Sequence, residues 1–323
     1  MEPADQFSMW SVVPADPWLV LGAAAIEAAV GYPDRLHRRA PHPVVWIGGL
    51  IAWCDRTWNR DDAQPKTRRV LGVAALIIIM TVAGLTGWLP SLTLQPFVLG
   101  IMLLAGTLGL AQRSLFDHVR AVAKPLASGD IVAARLSVGA IVGRDVVELN
   151  ETGVAAAALE SLAESFNDGV VAPIFWFVVG GLPGLFIYKA VNTADSLIGH
   201  REPRWRDFGW AAARMDDLMN LIPARIAGCM IAIAGRGGWR VMASDARKHA
   251  SPNSGWPEAA MAGALKVQLG GFVAYDGIIA ERPTFGSGAR PRASDLERGL
   301  KVYVMACGLL WLLLAVGGLA WPR

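Results

Sequence analysis

Long apolar runs limit the possible folds of this chain more than any other feature. Residues 70–89 read VLGVAALIIIMTVAGLTGWL, residues 93–111 read TLQPFVLGIMLLAGTLGLA, and residues 300–320 read LKVYVMACGLLWLLLAVGGLA. Each run is close to the roughly 20 apolar residues that a helix needs to cross the hydrocarbon core of a bilayer. A further candidate span, residues 17–31, contains Glu27. The sequence therefore predicts an all-α, polytopic integral membrane protein with a single membrane domain.

Composition agrees with this class. Hydrophobic residues make up 54% of the chain and charged residues 18%, whereas soluble domains contain about a quarter charged residues. The net charge of +3 comes from arginines clustered in loops, so the sequence gives no reason to expect nucleic-acid binding. The three cysteines are scattered without metal-ligand spacing, so neither a disulfide nor a cysteine metal site is expected.

Two apolar segments are interrupted by polar or helix-breaking residues. The run at 170–179 is followed by GGLPG at 180–184, and ten residues are too few to span a membrane. Residues 218–234 contain Pro223 and Arg225. Irregular backbone at membrane depth is tolerated where protein or a polar cavity covers it. We therefore expect 170–189 and 218–234 to be broken or re-entrant helices.

Loop charges predict the orientation in the membrane. Eight lysines and arginines lie between residues 32 and 69, and none lies in the short link at 90–92. The positive-inside rule places the basic loop in the cytoplasm. The polar regions 112–168 and 236–299 then also face the cytoplasm as helical insertions. A full span at 170–189 would place four arginines of the 190–217 loop outside, which favours the re-entrant alternative.

Three carboxylates stand at the start of one broken segment. In ALESLAESFNDGVVAPIFW the residues Glu160, Glu164 and Asp168 are four apart, so a helix places them on one stripe with Asn167 beside it. Carboxylates within a membrane are costly unless cations, a metal or water compensate them. A solvated acidic face on an interfacial helix is the simpler alternative for this stripe alone.

Two further acidic and amide clusters adjoin broken apolar segments. YKAVNTADSLIG contributes Lys189, Asn192 and Asp195, and ARMDDLMNLIPAR contributes Arg214, Asp216, Asp217, Asn220 and Arg225. Ion pairing on a helix surface would explain either cluster by itself. Three such clusters are better explained by one shared polar cavity.

The residue types in these clusters suit metal-bridged phosphate chemistry. Mg²⁺ prefers carboxylate oxygens, which predicts a site built from Glu160, Glu164, Asp168, Asp195, Asp216 and Asp217. Phosphate oxygens would be bound by Arg144, Lys189, Arg214 and Arg225. The turn-rich HASPNSGWPEAAMAGAL adds His249, Ser251, Asn253 and Ser254 before a helix start that could bind an anion, although an ordinary capped loop would look the same. A transporter could use the same residue types.

These segments together resemble the CobD/CbiB family of cobalamin biosynthesis. The resemblance rests on EAAVGYPDRLH, HPVVWIGGLI, ARLSVGAIVGRDVVELN, ALESLAESFNDGVVAPIFW, GGLPGLFIYKAVNTADSLIG, FGWAAARMDDLMNLIPAR and HASPNSGWPEAAMAGAL. The motifs occur in order between about residues 20 and 275. The apolar hairpin 70–111 and the last span match by position only.

The resemblance implies a multi-pass enzyme of the bacterial inner membrane, adenosylcobinamide-phosphate synthase, with its active site facing the cytoplasm. Such an enzyme is an amide-forming ligase that joins adenosylcobyric acid to (R)-1-amino-2-propanol or its O-phosphate, using ATP and Mg²⁺. Whether the amine is phosphorylated, and whether ADP or AMP is formed, stays open. The resemblance also leaves open whether the protein forms a homo-oligomer and whether it associates with other membrane enzymes of the late pathway.

Residue roles within that reaction are our own hypotheses. Glu164, Asp168 and Asp217 are the candidate catalytic residues, and Glu164 is the candidate acceptor of the ammonium proton. The amides of Asn167, Asn192, Asn220 and Asn253 are expected to contact the amide-bearing rim of the corrin. The alternatives are a polytopic transporter, which would use broken helices similarly, and a non-catalytic membrane sensor or scaffold related to the family, as in the AmpE-type signalling proteins.

Overall fold

The fold is known from a computed structural model, which describes residues 15–32, 42–92, 97–275 and 277–321. This part of the chain is mostly helical. The helices are α1 (Pro17–Val30), α2 (Pro43–Trp58), α3 (Pro65–Trp88), α4 (Val98–Thr107), α5 (Gln112–Ala127), α6 (Ile131–Gly139), α7 (Glu151–Phe166), α8 (Ala172–Ile198), α9 (Trp210–Ala234), α10 (Trp239–Asp245), α11 (Gly255–Leu265) and α12 (Ala293–Leu319). A 3₁₀ turn follows α3 at Leu89–Leu92, a π-helical turn at Asn167–Val171 joins α7 to α8, and a 3₁₀ turn follows α10 at Ala246–Lys248.

The chain divides into two compact units. The first comprises Met1–Ala111, Ala172–Met219 and Leu314–Arg323, and the second comprises Gln112–Val171 and Asn220–Leu313. In the first unit α3 packs along α8, and α2 packs against both. Buried apolar side chains from these helices form its core, including Ile51, Ile79, Tyr188 and Val191.

In the second unit α5 packs against α6 and α7, α11 packs on α7, and α12 contacts α7 through an aromatic pair. Tyr303 of α12 packs edge-on against Phe166 of α7 with ring centroids 5.6 Å apart. Its hydroxyl donates to the carbonyl oxygen of Gln112 at 2.8 Å, and Trp311 Nε1 donates to the Gln112 side chain at 2.9 Å. Aromatic packing and satisfied polar groups thus fix α12 beside the start of α5.

A β-hairpin in the second unit corrects the all-α prediction. Strands β1 (Leu269–Tyr275) and β2 (Ile278–Phe285) pair antiparallel, with Leu269 opposite Phe285. The region 236–299 was predicted to be a helical insertion, but its helices α10 and α11 are followed by this hairpin. The first residues of RPTFGSGARPRASD, expected to lie in a loop, complete β2. A bulge between Gly270 and Gly271 interrupts the pairing next to the site described below.

Five helical segments in the described part of the chain are long and apolar enough to cross a membrane. They are Pro65–Trp88, Val98–Ala127, Glu151–Ile198, Trp210–Ala234 and Ala293–Leu319. Except for its last residue, each of the predicted spans 70–89 and 300–320 falls within the first or the last of these helices. Residues 93–96, at the start of the predicted span 93–111, lie outside the described residues. The protein is therefore a multi-pass membrane protein by the length and composition of its helices.

Three predicted segments, one span and two broken or re-entrant helices, lie in helices of a different length. The helix at 17–31 has only 14 residues, so at 1.5 Å per residue it covers about 21 Å of a core about 30 Å thick. The ten apolar residues at 170–179, too few to span a membrane by themselves, lie in helical structure that runs from Glu151 to Ile198. The re-entrant course of 170–189 stays a prediction. Residues 218–234 belong to the 25-residue α9, which tolerates Pro223 in its interior.

The helix break predicted near GGLPG is confined to one residue with non-helical backbone angles. Gly181 has φ 62° and ψ −159° inside α8, a conformation that is essentially restricted to glycine. The helix resumes after it, so the break does not end the apolar segment. Gly87 of α3 faces the break, and a Cβ there would lie 2.7 Å from the carbonyl carbon of Leu182. Close backbone approach by α3 thus covers the interrupted turn.

Replacing Gly181 by alanine is expected to destabilise the protein by about 1–3 kcal/mol, because an L-residue is strained at this φ and ψ. Gly180→Ala is the matched control, since no heavy atom lies within 4 Å of an added Cβ at that position. Thermal unfolding of the purified variants in detergent measures both. Equal unfolding temperatures for the two variants would contradict this account of the break.

Candidate active site

The three carboxylates of the acidic stripe, which runs along α7 into the π-helical turn, have different surroundings. Glu160 is buried among arginines, Glu164 is exposed, and Asp168 lies in the π-helical turn with intermediate exposure. Glu164 Oε1 accepts a hydrogen bond from Ser254 Oγ at 2.9 Å, and Asp168 Oδ1 accepts one from Asn167 Nδ2 at 2.7 Å. The stripe therefore supplies one structural carboxylate and two that remain accessible.

Glu160 forms a buried ion network. Its Oε2 accepts a hydrogen bond from Arg144 Nη2 at 2.5 Å and lies 3.5 Å from Arg282 Nη1. Its Oε1 accepts from the backbone N–H of Gly270 at 2.7 Å, in the bulge of β1. The side chains of Arg144 and Glu160 are only 10% and 3% exposed. Both carboxylate oxygens are thus engaged, and Glu160 positions two arginines and the hairpin.

Glu258, in the first turn of α11, lies beside this network and is fully buried. Within the described residues, neither of its carboxylate oxygens has a hydrogen-bond partner. Oε1 lies 3.7 Å from His249 Nε2 and 3.6 Å from Arg282 Nη2. These distances are too long for hydrogen bonds but short enough for strong electrostatic coupling.

Burial sets the charge state of this pair. It raises the pKa of Glu258 well above the usual range, and the negative charges of Glu164 and Glu160 add to that rise, while Arg282 and Arg144 oppose it. Burial also lowers the pKa of His249, as does the positive charge of Arg282. Perturbed titratable groups concentrated in one place are typical of functional sites.

The SPNSG loop connects His249 to Glu164. The backbone N–H of Ser251 donates to His249 Nδ1 at 2.9 Å, and Ser251 Oγ accepts from the N–H of Asn253 at 3.2 Å. Ser254 then donates to Glu164. These local bonds make the loop rigid and hold the histidine ring against Arg282, whose Nη2 lies 2.9 Å from His249 Nε2.

Arg225 of α9 lies against the same loop. Its Nη1 donates to Asn253 Oδ1 at 3.3 Å and to the carbonyl oxygen of Leu221 at 2.5 Å, and its guanidinium lies 4.7 Å from the ring centroid of Trp256. Among the described residues no carboxylate lies within 4 Å of Arg225. A stacked arginine without a carboxylate is well suited to binding a phosphate.

An amide pair marks the π-helical turn. Asn167 Nδ2 donates to Asn220 Oδ1 at 2.8 Å as well as to Asp168. Both asparagines are buried, and in the described structure Asn167 Oδ1 has no hydrogen-bond partner. Single π-turns are frequent at functional sites.

The first unit contains the second group of predicted residues. Asn192 Nδ2 of α8 donates to Asp216 Oδ1 of α9 at 3.2 Å, and Arg214 Nη1 lies 3.4 Å from Asp217 Oδ2. Asp195 follows Asn192 by about one turn. Lys189 lines a mostly apolar cavity of about 260 Å³ that also contacts His42 and Trp46. The NTADS motif and the aspartates of MDDLMN therefore come together within this unit.

The predicted site residues thus fall into two groups, one in each unit. Glu160, Glu164, Asp168, Asn167, Arg144, Asn220, Arg225, His249, Ser251, Asn253 and Ser254 belong to the second unit, and Lys189, Asn192, Asp195, Arg214, Asp216 and Asp217 to the first. A single shared cavity stays a prediction. No three His, Cys, Asp or Glu side chains of the described chain are grouped to hold a metal ion.

Sequence reasoning missed Glu258 and Arg282. Glu258 is the only carboxylate in GWPEAAMAGAL, and a lone glutamate near a helix start is ordinarily a solvated residue. The small apolar residues around it were the available signal, because they leave that turn no polar surface. Arg282 stood in a segment predicted to be a loop, and only the pairing of β2 with β1 brings it to Glu160.

Comparison with known proteins places the chain in a family. The sequence model described as CobD/Cbib protein matches residues 20–303. A cobalamin biosynthesis protein CobD from Rhodobacter capsulatus is 48% identical over 309 residues, which cover 94% of this chain and 98% of the relative. Proteins of the same name from Sinorhizobium sp. and Brucella suis biovar 1 (strain 1330) are 45% and 41% identical over 305 and 304 residues, covering 89% of this chain and 94% and 92% of the relatives. No solved structure matches the chain. The chain therefore belongs to the CobD/CbiB family.

Proposed function

We propose that this protein is a membrane-bound ligase of cobalamin biosynthesis. It joins the propionate carboxyl group of adenosylcobyric acid to the amine of (R)-1-amino-2-propanol or its O-phosphate, with ATP as the activating co-substrate. The observation that carries the proposal is the assembly of family motifs from three places in the chain, around Arg144, Glu160 and the loop from His249 to Ser254, into one partly buried polar cluster. A scaffold protein has no chemical need for such a cluster.

The cluster suits the chemistry of acyl activation. A carboxylate is a poor acyl donor, and transfer of a phosphoryl group to it supplies a leaving group. Such transfer needs cations that neutralise phosphate oxygens and fix their orientation. Arg225 and Arg282 are the best candidates in the second unit, since Arg225 has no carboxylate within 4 Å among described residues and Arg282 is held only loosely by Glu160, at 3.5 Å. Lys189 and Arg214 are the candidates in the first unit.

The oxygen-rich side chains fit a magnesium ion that enters with the nucleotide. Mg²⁺ in such enzymes is bound through one or two carboxylates together with substrate phosphates, so a preformed cluster of three ligands is not required. Glu164, Asp168, Asp195, Asp216 and Asp217 are the proposed carboxylates, whereas Glu160 is assigned to positioning because both of its oxygens are engaged. The ion would supply neutralisation of phosphate charge.

Amide side chains are proposed to contact the corrin. Its rim carries amides, which pair well with other amides because each group both donates and accepts. Asn167 Oδ1 is buried without a partner in the described structure, so it is the most suitable acceptor for an incoming N–H. Asn192, Asn220 and Asn253 complete the proposed set. The basic loops support a cytoplasmic site at the bacterial inner membrane.

Reconstitution tests the proposal directly. Purified protein in detergent is incubated with adenosylcobyric acid, ATP, Mg²⁺ and either amine, and the corrinoid product is weighed by mass spectrometry. We expect one new amide per corrinoid, lost when ATP is omitted or Mg²⁺ is chelated. Absence of the amide with folded protein and both amines would overturn the proposal. Corrinoid uptake by liposomes without amide formation would favour the transporter alternative.

A further inference from the structure

The unpartnered carboxylate of Glu258 requires an explanation that the arginines and the proposed magnesium ligands do not give. Its side chain is fully buried, and in the described structure both oxygens lack a hydrogen-bond donor. Burying a charged or polar group without partners costs several kcal/mol, so such groups are rare unless a bound molecule supplies the partner. Asn59, by contrast, is also buried, and its amide donates to Asp55 and to the carbonyl of Arg204.

The charge of the surrounding cluster indicates what kind of partner is missing. Glu160, Glu164 and Glu258 contribute three carboxylates, and Arg144 and Arg282 contribute two guanidiniums, while His249 is driven towards its neutral form. When Glu258 is ionised, one negative charge of this cluster is therefore uncompensated, and burial alone opposes that ionised form. A ligand that carries one positive charge and several N–H donors would balance the charge and satisfy the oxygens of Glu258.

A divalent metal fits this position less well than an ammonium group. Arg282 Nη2 lies 3.6 Å from Glu258 Oε1, so a doubly charged ion at this carboxylate would be repelled more strongly than a singly charged one. An ammonium has three donors and needs no fixed coordination geometry.

We infer that Glu258 binds the primary ammonium of the amine co-substrate and accepts its proton before the amide bond forms. This inference rests on the proposed function and deepens it. Glu164, the proton acceptor expected from the sequence, is exposed and already accepts a hydrogen bond from Ser254. It is therefore the less suitable base.

The proton and electron balance is simple. The ammonium R–NH₃⁺ gives one proton to the Glu258 carboxylate and becomes R–NH₂. The nitrogen lone pair then attacks the acyl carbon of the activated propionate, a C–N bond forms, and the C–O bond to the phosphate leaving group breaks. The second nitrogen proton leaves with the phosphate. Glu258 returns its proton to solvent past His249, whose side chain is 12% exposed. The burial that raises the pKa of Glu258 makes it a stronger base than an exposed glutamate.

The test compares Glu258→Gln with Glu297→Gln, a control at an exposed glutamate on α12. At pH 7 we expect Glu258→Gln to lower kcat for amide formation by about 10²–10⁴-fold, the usual contribution of a general base. The residual rate should rise about tenfold per pH unit up to pH 8.5, because the variant depends on amine deprotonated in solution, and a primary amine titrates near pH 10. The rate of the wild-type protein should stop rising at a pH below 8.5, because Glu258 then accepts the proton of the amine.

The pH profile has to be interpreted with the charges that face Glu258. These are Glu160 and Glu164 from α7, Arg144 from the segment before α7, Arg282 from β2 and His249 from the loop before α11. None of them is changed in Glu258→Gln, so a change in slope reports on residue 258. A variant with the wild-type profile and at least half the wild-type rate would overturn the inference, while the ligase function would stand.

Thermal stability separates a functional from a structural role. A buried glutamate with a raised pKa binds more protons in the folded state, so its ionisation lowers stability as pH rises above its unfolded pKa of about 4.3. We therefore expect Glu258→Gln to raise the unfolding temperature by about 2–4 °C at pH 7.5 and to have no effect near pH 4. A lower unfolding temperature at pH 7.5 would mean that Glu258 stabilises the fold and would contradict the inference. If the wild type forms no amide at all, the proposed function fails instead.

Discussion

Replacing Glu160 by alanine is expected to lower the free energy of unfolding by about 3–5 kcal/mol, the cost of removing one partner of a buried ion pair. The change leaves Arg144, which is 10% exposed, without its carboxylate. It also removes the acceptor of the Gly270 N–H in the bulge of β1. The loss of these two interactions destabilises the fold in addition to the cavity that the deleted side chain leaves. A change of this size is a large part of the stability of an ordinary domain.

A double-mutant cycle separates the ion pair from the cavity. Thermal and denaturant unfolding in detergent are measured for Glu160→Ala with Glu297→Ala as the exposed control, and for the cycle of Glu160→Met, Arg144→Met and the double variant. Apolar replacement of both partners is often neutral, so the double variant should be more stable than either single variant. A loss below about 1 kcal/mol for Glu160→Ala, or additive effects in the cycle, would show that the network is not structural.

The membrane helices could be predicted from the sequence because their signal is local. Length and hydropathy alone predict the spans 70–89 and 300–320, and all but the last residue of each lies inside the helices Pro65–Trp88 and Ala293–Leu319. The sequence also predicted the interruption at GGLPG. It did not predict that the helix resumes after the interruption. Whether a Gly-Pro segment ends a helix depends on what packs against it, and here Gly87 lets α3 approach the backbone of the break. That contact joins residues nearly 100 positions apart.

The hairpin could not be predicted because its pattern is weak. LGGFVAY contains two glycines in a bulge, and the facing ERPTF contains a proline. Both residue types lower strand propensity, so the segment looks like a loop until the two strands pair. Because the hairpin was not predicted, two of its contacts with Glu160 were missed as well. They are made by Arg282 and by the backbone N–H of Gly270.

Part of the candidate site could also be predicted from a local sequence pattern. A spacing of four on a helix predicts a shared stripe, and Glu160, Glu164 and Asp168 do follow one another along α7 and the π-helical turn. The spacing cannot show what each residue faces. Glu160 faces two arginines and Glu164 faces Ser254, which are distant in sequence. The surroundings of these carboxylates therefore differ although their sequence context is alike.

Replacing Asp168 or Asp217 by alanine is expected to lower the rate of amide formation at least 100-fold. Each carboxylate is proposed to supply an oxygen to the magnesium–nucleotide complex, and loss of a charge-stabilising group in such a site commonly costs a factor of 10² or more. Both side chains have intermediate exposure, so neither deletion should unfold the protein. Asp117→Ala is the matched control, because Asp117 pairs with an arginine on an exposed helix face much as Asp217 does.

The magnesium dependence distinguishes a ligand from a residue that acts through packing. For each variant, product formation is measured over a range of free Mg²⁺ at saturating ATP. Loss of a ligand should raise the Mg²⁺ concentration needed for half-maximal rate by tenfold or more, so that part of the activity returns at high Mg²⁺. A purely structural change would lower the maximal rate and leave the half-maximal concentration unaltered. Near-wild-type rates in both variants would remove the magnesium assignment, since these two carboxylates anchor the proposed ligand sets of the two units.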